Sequence, residues 1–457
     1  MQSFNREWQR NVAEAMKPSS PEQDPAMNPK PGMAPAAGPC GGDPTFLAPY
    51  QPAALAQSSG YVAGCFVLLL VGLYLIAGPI LEFSKWRVDE NMNPAFLEGI
   101  AWYHGSLTLP RRTPDTALVD GRVYSVHPPL FTLLTLVATA LGQGRGIPEG
   151  VFYTPWYIEI VVLPLPVLGF WAFQQVLRRA EWSAVLTGYW LLGTPMLPQL
   201  LGCRDGAVNQ LNHILATSGL MLIAGDLLGR RRIWPATLGV VIAAWSRPNL
   251  LLFGLAALAV AWAAKSGRRK NVATAVAGLA LAAGVLTMLN CLKFGSPFDS
   301  GYAYIYDYRP NSWLGARANT YGLFSWRFLG ENAYRMNCAL PHLRLTPEFI
   351  VVPDEMRYGA SIWITSPLLL GAFLGLKQWW ANRAARALML ISLPVIGTFL
   401  AYHGGGASPT GFFAYSLDFL PVWLVVIAPW AVEAWRRRFT LACFAWSALY
   451  FHLITKS

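Results

Sequence analysis

Arg247, followed by Pro248, separates two nearly uncharged apolar runs, Ile233 to Ser246 and Asn249 to Ala264, that would otherwise read as one membrane-embedded helix. A guanidinium at that depth costs at least about 2.5–3.5 kcal/mol unless it meets an anion, water or the headgroup layer. Pro248 removes a backbone donor and disfavours helix at the preceding residue, so a break is expected at Arg247. A fixed cation at such a break suits a lipid-linked phosphate. A short hairpin whose turn snorkels to the surface would use the same residues. Asp89 and Glu90 follow the first apolar run by a few positions. Paired carboxylates at a membrane surface can supply a general base if an apolar wall raises one of them, or can simply cap the next helix.

Arg204 and Asp205 lie in a later loop, with Asn209 and His213 four residues apart on the helix that follows and therefore on one face. Asp205 could join the first-loop acids around an acceptor hydroxyl or a divalent ion, Mg or Mn, with Asp89 and Asp205 as its ligands. A lone His at a helix end otherwise serves structure. Tyr302, Tyr304, Tyr306 and Tyr308 alternate, which would place them on one side of an extended segment. Such rings can stack on a sugar, and an interfacial aromatic belt would look the same. His403 and Gly404 to Gly406 precede Tyr415 and Asp418. Asp418 reads as an acid inside an apolar helix, where it would need a cation, with Arg247 one candidate.

The elements that must position these residues are membrane spans. Of 457 residues, 54% are hydrophobic and only 13% charged, against about 25% charged in soluble domains. The net charge of +11 does not point to nucleic acid. It sits in clusters between apolar runs, at Arg178–Arg179, Arg230–Arg232, Lys265 to Lys270, Lys377 to Arg386 and Arg436–Arg438, as in cytoplasmic loops facing anionic lipid. Residues 1–57 read as a disordered Pro/Gly/Ala-rich cytoplasmic tail without a cleaved signal peptide, and 58–457 as one polytopic all-α membrane domain. Expected spans are Val62–Leu81, Thr154–Leu177, Trp182–Leu201, Gln210–Gly229, the two runs flanking Arg247, Asn271–Cys291, Ala360–Lys377, Arg386–His403, Phe412–Glu433 and Phe439–Ile454. Pro129–Leu141, at about 13 residues and preceded by His127 and Pro128, is read as re-entrant. About eleven crossings with the N-terminus inside then put every basic cluster on one face. The loops 82–153, 202–209 and 292–359, carrying short helices, fall on the other. Asn93 is the expected N-cap of one of these helices, with Pro94 first and Gly105 as the stop, lying along the membrane surface. Six scattered cysteines give no zinc or redox spacing, although Cys203 and Cys338 share the outer face.

Several stretches, in order, resemble the GT-C membrane glycosyltransferases, and more narrowly the bacterial group related to protein mannosyltransferases and lipopolysaccharide sugar transferases. They are Asp89-Glu90, His104-Gly105-Ser106-Leu107, Asp120 to Tyr124 before His127-Pro128-Pro129, and Ser246-Arg247-Pro248. Lys293 to Pro297 with Gly301-Tyr302, Tyr321 to Ser325, Ser366-Pro367-Leu368 and Tyr415 to Asp418 complete them, over roughly residues 62 to 430. The resemblance implies an enzyme of a bacterial inner membrane with an outward-facing site. Its donor would be a polyprenyl-phosphate hexose or pentose, and its acceptor a lipid, glycan or protein. It implies Asp89 as the base with Glu90 beside it, and Asp205 as a second acidic site by location. Arg247 and Arg204 would then hold the donor phosphate, and His127, Asn209, His213, Tyr302, Tyr415 and Asp418 the substrates. Asn91-Met92-Asn93 stands where the family often has Arg or Tyr, so Asp89 and Glu90 remain alternatives. A lipid or small-molecule transporter would also use a broken helix and an intramembrane acid, as would a non-catalytic scaffold of the same fold. The halves show no self-similarity, and the acids of the large outer loops favour an enzyme.

If Pro129–Leu141 does not cross, thiols engineered at Asp115 and Gly146 should both react with an impermeant reagent from the non-cytoplasmic side. Opposite labelling would overturn this topology.

Overall fold

The computed structural model describes residues 57–81, 93–144, 161–203, 208–306, 312–341, 343–345, 351–353, 360–404, 406–408 and 411–456. The tail expected over 1–57, Gln57 apart, lies outside them, as do Asp89, Glu90, Arg204, Asp205 and Tyr308. Helix α1 (Ser59–Leu81) fills the first expected span. Helix α2 (Pro94–Tyr103) begins as its sequence dictates. Asn93 Oδ1 accepts from the Phe96 amide at 2.9 Å, and Pro94 takes the first helical position, where a missing amide costs nothing.

This helix is not the surface-lying element expected. Pro94 to Gly99 and Ala101 are buried, while His104, counted on its apolar face, is exposed. The reason is Gly99: a Cβ there would lie 2.5 Å from Thr135 Cβ, so α2 presses its backbone onto α3 (Pro129–Gln143). Between α2 and α3 the chain forms an antiparallel hairpin, β1 (Thr116–Val119) and β2 (Arg122–Ser125). Its turn residues Asp120 and Gly121 both have positive φ, +49° and +74°, the two-residue turn whose twist matches paired strands.

The loops are therefore not purely helical. Two further two-stranded pairs, β3 (Leu343–Leu345) with β4 (Val351–Pro353) and β5 (Ala407–Ser408) with β6 (Phe412–Phe413), correct the all-α expectation, although the chain is mostly helix. The helices after α3 are α4 (Pro164–Leu177), α5 (Ala180–Leu192), α6 (Met196–Gly202), α7 (Val208–Leu228), α8 (Trp234–Ser246), α9 (Phe253–Trp262) and α10 (Arg268–Phe294). Then follow α11 (Trp313–Tyr321), α12 (Leu329–Asn337), α13 (Ile362–Thr365), α14 (Gly371–Leu374), α15 (Leu376–Ala381), α16 (Arg383–Leu400), α17 (Leu420–Ala431) and α18 (Arg437–Lys456).

Four of the described stretches, Ser59–Gly78, Asn209–Leu228, Arg268–Phe294 and Arg383–Leu400, are long and apolar enough to cross a membrane. Other expected spans are interrupted: Gly193 to Pro195 part α5 from α6, and Ser366 to Leu370 part α13 from α14. α1 turns its apolar side outward, with Leu68 72% and Tyr74 71% exposed, a surface suited to lipid rather than water. Cys203 and Cys338 are both free.

Helix α7 runs through the middle of the bundle, almost wholly buried, and defines two ends about 30 Å apart. At its finish, a Cβ on Gly229 would meet Gln175 of α4 at 2.6 Å, and Asp226 accepts from the amides of Arg232 and Ile233. Arg437 lies over Trp182, and Gln57 bonds to the Ala180 amide, so the start of α1 and three basic clusters share this end. At its start, Asn209 reaches Asp115 of the first loop. Elsewhere Lys293 reaches the Ser125 carbonyl, and Tyr306 reaches His403, tying the first loop and the one after α10 together and to the chain after α16.

Helices α7 and α8 run antiparallel with backbones almost touching: a Cβ on Gly219 would lie 2.5 Å from the Gly239 carbonyl oxygen, and the converse holds. Small residues permit this approach. Gly219→Ala should therefore force the helices apart and lower stability by about 1–3 kcal/mol. Gly284→Ala on α10, with nothing within 4 Å of the added carbon, should be neutral or mildly stabilising. Thermal unfolding in detergent compares the two; equal effects would show that the crossing is not close.

Candidate functional site

From the Gly219–Gly239 contact, α7 runs back toward its start and α8 runs forward to its end, over ~9 Å and ~12 Å at 1.5 Å per residue. That brings His213 of α7 and Arg247, which ends α8, to one level. Arg247 leaves helical geometry at φ −146° and ψ +102°, and Pro248 opens a 3-10 turn, Pro248–Leu252, before α9. The break expected from the sequence is there.

Its side chain does not snorkel. Arg247 Nε donates to Asp418 Oδ2 at 3.0 Å, Nη2 lies 3.0 Å from the same oxygen, and Asn249 Nδ2 adds a third donor at 3.2 Å. His213 Nδ1 lies 3.3 Å from Asp418 Oδ1, and its Nε2 lies 3.3 Å from Arg247 Nη1. A neutral imidazole accepts from the guanidinium at Nε2, which puts its proton on Nδ1, close to the carboxylate but outside hydrogen-bond geometry. Tyr415 covers the guanidinium, with its ring centroid 4.7 Å from Cζ and 5.4 Å from the His213 ring.

Asp418 is completely buried, whereas the Arg247 side chain keeps 19% exposure. Three of the five guanidinium N–H groups meet Asp418 or His213, and the Tyr415 hydroxyl also bonds to the guanidinium. Asp418 does not lie inside a helix as expected. It ends a 3-10 turn, Ala414–Asp418, just ahead of α17, which lets its carboxylate face sideways toward α7 and α8. The glycines before it serve packing: Gly406, at φ +66°, has its Cα so close to the Tyr415 ring that a Cβ would lie 2.5 Å from Cγ.

The alternating tyrosines do not form one face. Tyr302–Ile305 is a 3-10 turn, and its residues diverge. Tyr304 donates to Asp299 Oδ2 at 2.9 Å, whereas the Tyr306 hydroxyl contacts His403 Nε2 at 2.5 Å. Burial lowers His403 to about 4, so Nδ1–H is the proton facing the Leu323 carbonyl, and Tyr306 donates to Nε2. Tyr302 alone of the described set feels the charges of Arg247 and Asp115 together with Tyr415; burial raises its phenol, and Arg247 opposes that rise.

His127 is buried, and neither ring nitrogen has a hydrogen-bond partner among the described residues. Burial lowers its imidazole to about 4, with Asp115 pulling up and Lys293 pushing down. Asn209 and His213 do share a face, as expected, and each meets a different acid: Asn209 Nδ2 donates to Asp115 Oδ2 at 3.2 Å, and His213 meets Asp418. Asp115 carried no role in the sequence reading. Nor did Glu98, which is buried in α2, pairs with Lys293 Nζ and accepts from Thr132 Oγ1 at 2.8 Å. A lone acid in an apolar helix was the signal for Glu98, the same signal that marked Asp418. Among the described residues no group of three or more His, Cys, Asp or Glu gathers to hold a metal, and the acids assigned to one, Asp89 and Asp205, lie outside them.

Comparison with protein-family models, with curated proteins and with solved structures finds no match to this chain. The arrangement is thus defined by its own chemistry: a helix-break arginine anchored by a buried carboxylate and partly exposed beside a tyrosine cluster.

Removing one partner of a buried ion pair strands the other, at about 3–5 kcal/mol when both are fully buried and less here because Arg247 is partly exposed. Asp418→Ala should therefore destabilise strongly, and the Arg247→Ala/Asp418→Ala double variant by clearly less than the sum of the singles. Strictly additive losses in a denaturant cycle would mean that the pair is not coupled.

Proposed function

We propose that this chain is an integral membrane glycosyltransferase. It moves a hexose or pentose from a polyprenyl-phosphate donor to a lipid, glycan or protein acceptor at the end of the bundle that holds Arg247. The observation that carries this reading is the Arg247–Asp418 anchor, which fixes a cation at a helix break while leaving part of the guanidinium exposed. A departing lipid phosphate requires such a cation, because charge grows on its bridging oxygen as the glycosidic bond breaks. Tyr415 and Tyr302 beside the cation supply aromatic faces and hydroxyls suited to a sugar ring. Transfer also needs a carboxylate to accept the proton of the attacking hydroxyl, and the first outer loop supplies it. About eleven crossings, counting the interrupted spans, with the basic clusters cytoplasmic and this site outward in a bacterial inner membrane, complete the reading. The likeness of motif order to the GT-C enzymes supports it, and a divalent ion is compatible with it.

Arg247 provides the test. Arg247→Lys should keep part of donor affinity, because charge survives while the planar fork is lost. Arg247→Ala should lose more, by roughly 1.5–3 kcal/mol for one charge-assisted contact. A titration of detergent-purified wild type and both variants with a polyprenyl-phosphate sugar reads this directly. Equal affinities in all three proteins would remove Arg247 from the donor site. A transporter would instead show substrate flux into sealed vesicles without release of polyprenyl phosphate.

A further inference from the structure

Asp115 occupies a backbone conformation that a non-glycine residue adopts only when held there. Its φ is +61°, in the left-handed region that Asp tolerates better than most side chains. The turn around it is pinned from both sides: Thr116 Oγ1 donates to the Thr113 carbonyl at 2.6 Å, and the Thr113 amide points back at the same hydroxyl at 3.3 Å. Directly after it, strand β1 seats on the Tyr302–Ile305 turn, where Ala117, Val126, Ile305 and Tyr306 form a small buried cluster. The turn thus fixes where the Asp115 side chain begins. The carboxylate accepts from Asn209 Nδ2 at 3.2 Å and forms no ion pair among the described residues.

Asn209 and His213 stand one turn apart on α7, about 5–6 Å between side-chain origins. Asn209 touches Asp115, and His213 touches both Arg247 and Asp418. Asp115 and the partly exposed Arg247 therefore meet α7 at residues one helical turn apart. Tyr302 and Tyr415 each feel both charges, which places the two groups around the same tyrosine cluster. An acid and a cation held apart on such a scale leave room for a sugar carbon undergoing in-line displacement, as the ~6.5–9.5 Å carboxyl separation does in inverting glycosidases.

We propose that Asp115 is the carboxylate that accepts the acceptor's proton, an assignment that rests on the glycosyl-transfer reading. The acceptor oxygen forms a bond to the anomeric carbon as the bond from that carbon to the phosphate oxygen breaks. The bonding pair leaves with the polyprenyl phosphate, facing Arg247, and the hydroxyl proton passes to Asp115 Oδ. Asn209 is then a positioning residue that aims the carboxylate.

The experiment uses full-length protein with farnesyl phosphate as the binding probe and a hexosyl and a pentosyl farnesyl phosphate as donors in native membranes. Asp115→Asn removes a negative charge beside the anion site, so it should bind farnesyl phosphate several-fold tighter, while Arg247→Ala binds it at least about ten-fold more weakly. The same Asp115→Asn protein should release farnesyl phosphate from the donor about 100-fold more slowly or worse, with donor KM little changed, and Asp115→Glu should recover part of the rate. Unchanged phosphate affinity in Asp115→Asn would take the residue away from Arg247. Retained turnover in Asp115→Asn, or its loss only in Asp89→Asn or Glu90→Gln, would place the base elsewhere. If wild type releases no farnesyl phosphate from either donor, yet Asp115→Asn still tightens binding, the transfer reading has failed, and the proton-acceptor role with it, while the shared location stands.

Discussion

The ion pair between Arg247 and Asp418 holds the rest of this structure in register. Taking a guanidinium and a carboxylate out of water costs several kcal/mol each, and the pair is held by three donors converging on one carboxylate oxygen. One carboxylate oxygen receives Arg247 Nε, Arg247 Nη2 and Asn249 Nδ2, and His213 approaches the other. Pro248 forbids the helix from continuing through Arg247, so the extended backbone there would be loose without that anchor. Asp418 in turn belongs to the 3-10 turn that starts α17, whose residues are nearly all buried. One interaction therefore couples the α8–α9 break, the start of α7 and the start of the most enclosed helix in the bundle.

A second buried pair, Glu98 with Lys293, does for the loops what the first does for the helices. Lys293 sits in the last turn of α10 and donates to the Ser125 carbonyl at the end of β2, while Glu98 projects from α2 and takes a further bond from Thr132 of α3. The first large loop is thereby fastened to the end of a candidate membrane span at two points of its length, Glu98 and Ser125. With the hairpin fixed from behind, its root at Asp115 is presented toward Asn209 and the tyrosines. The site is thus assembled from segments far apart in the chain, each locked by a contact that would be expensive to leave half-made.

What could be read in advance follows from the range of the forces involved. The break at Arg247-Pro248 and the start of α2 at Asn93-Pro94 are local events, governed by proline geometry and capping, and both are where the sequence puts them. The Asp120-Gly121 turn was equally local: a two-residue Asp-Gly signal between alternating apolar residues specifies a hairpin, and reading the loop as helical missed it. The tyrosine alternation misled because period two implies a common face only in a strand, and Gly301, at φ +76°, starts a 3-10 turn instead. The partners of Glu98 and Asp115 could not be found by any local rule. Lone buried charge says only that a partner exists, and Arg247 was named for Asp418 because both were scarce intramembrane charges, a criterion that Lys293 at a span end does not meet.

The electrical balance of the anchor bears on how the proposed transfer would be driven. Arg247 and Asp418 together are neutral, and a neutral His213 leaves them so. Such a pair offers a phosphate little net attraction at a distance and would act mainly through the N–H groups on its exposed side. A polyprenyl-phosphate sugar is a phosphodiester with one negative charge, and the phosphate that leaves carries two as the bond breaks. Donors fixed beside a fully buried carboxylate bind the first species modestly and the second better, because each hydrogen bond strengthens as its acceptor gains charge. Interactions that grow between ground state and transition state raise turnover, whereas a bare cation would spend much of its attraction on binding the donor. In the proposed transfer Asp418 would thus do more than solve the cost of burying Arg247: by cancelling its charge it would reserve the guanidinium's effect for the moment when the phosphate departs.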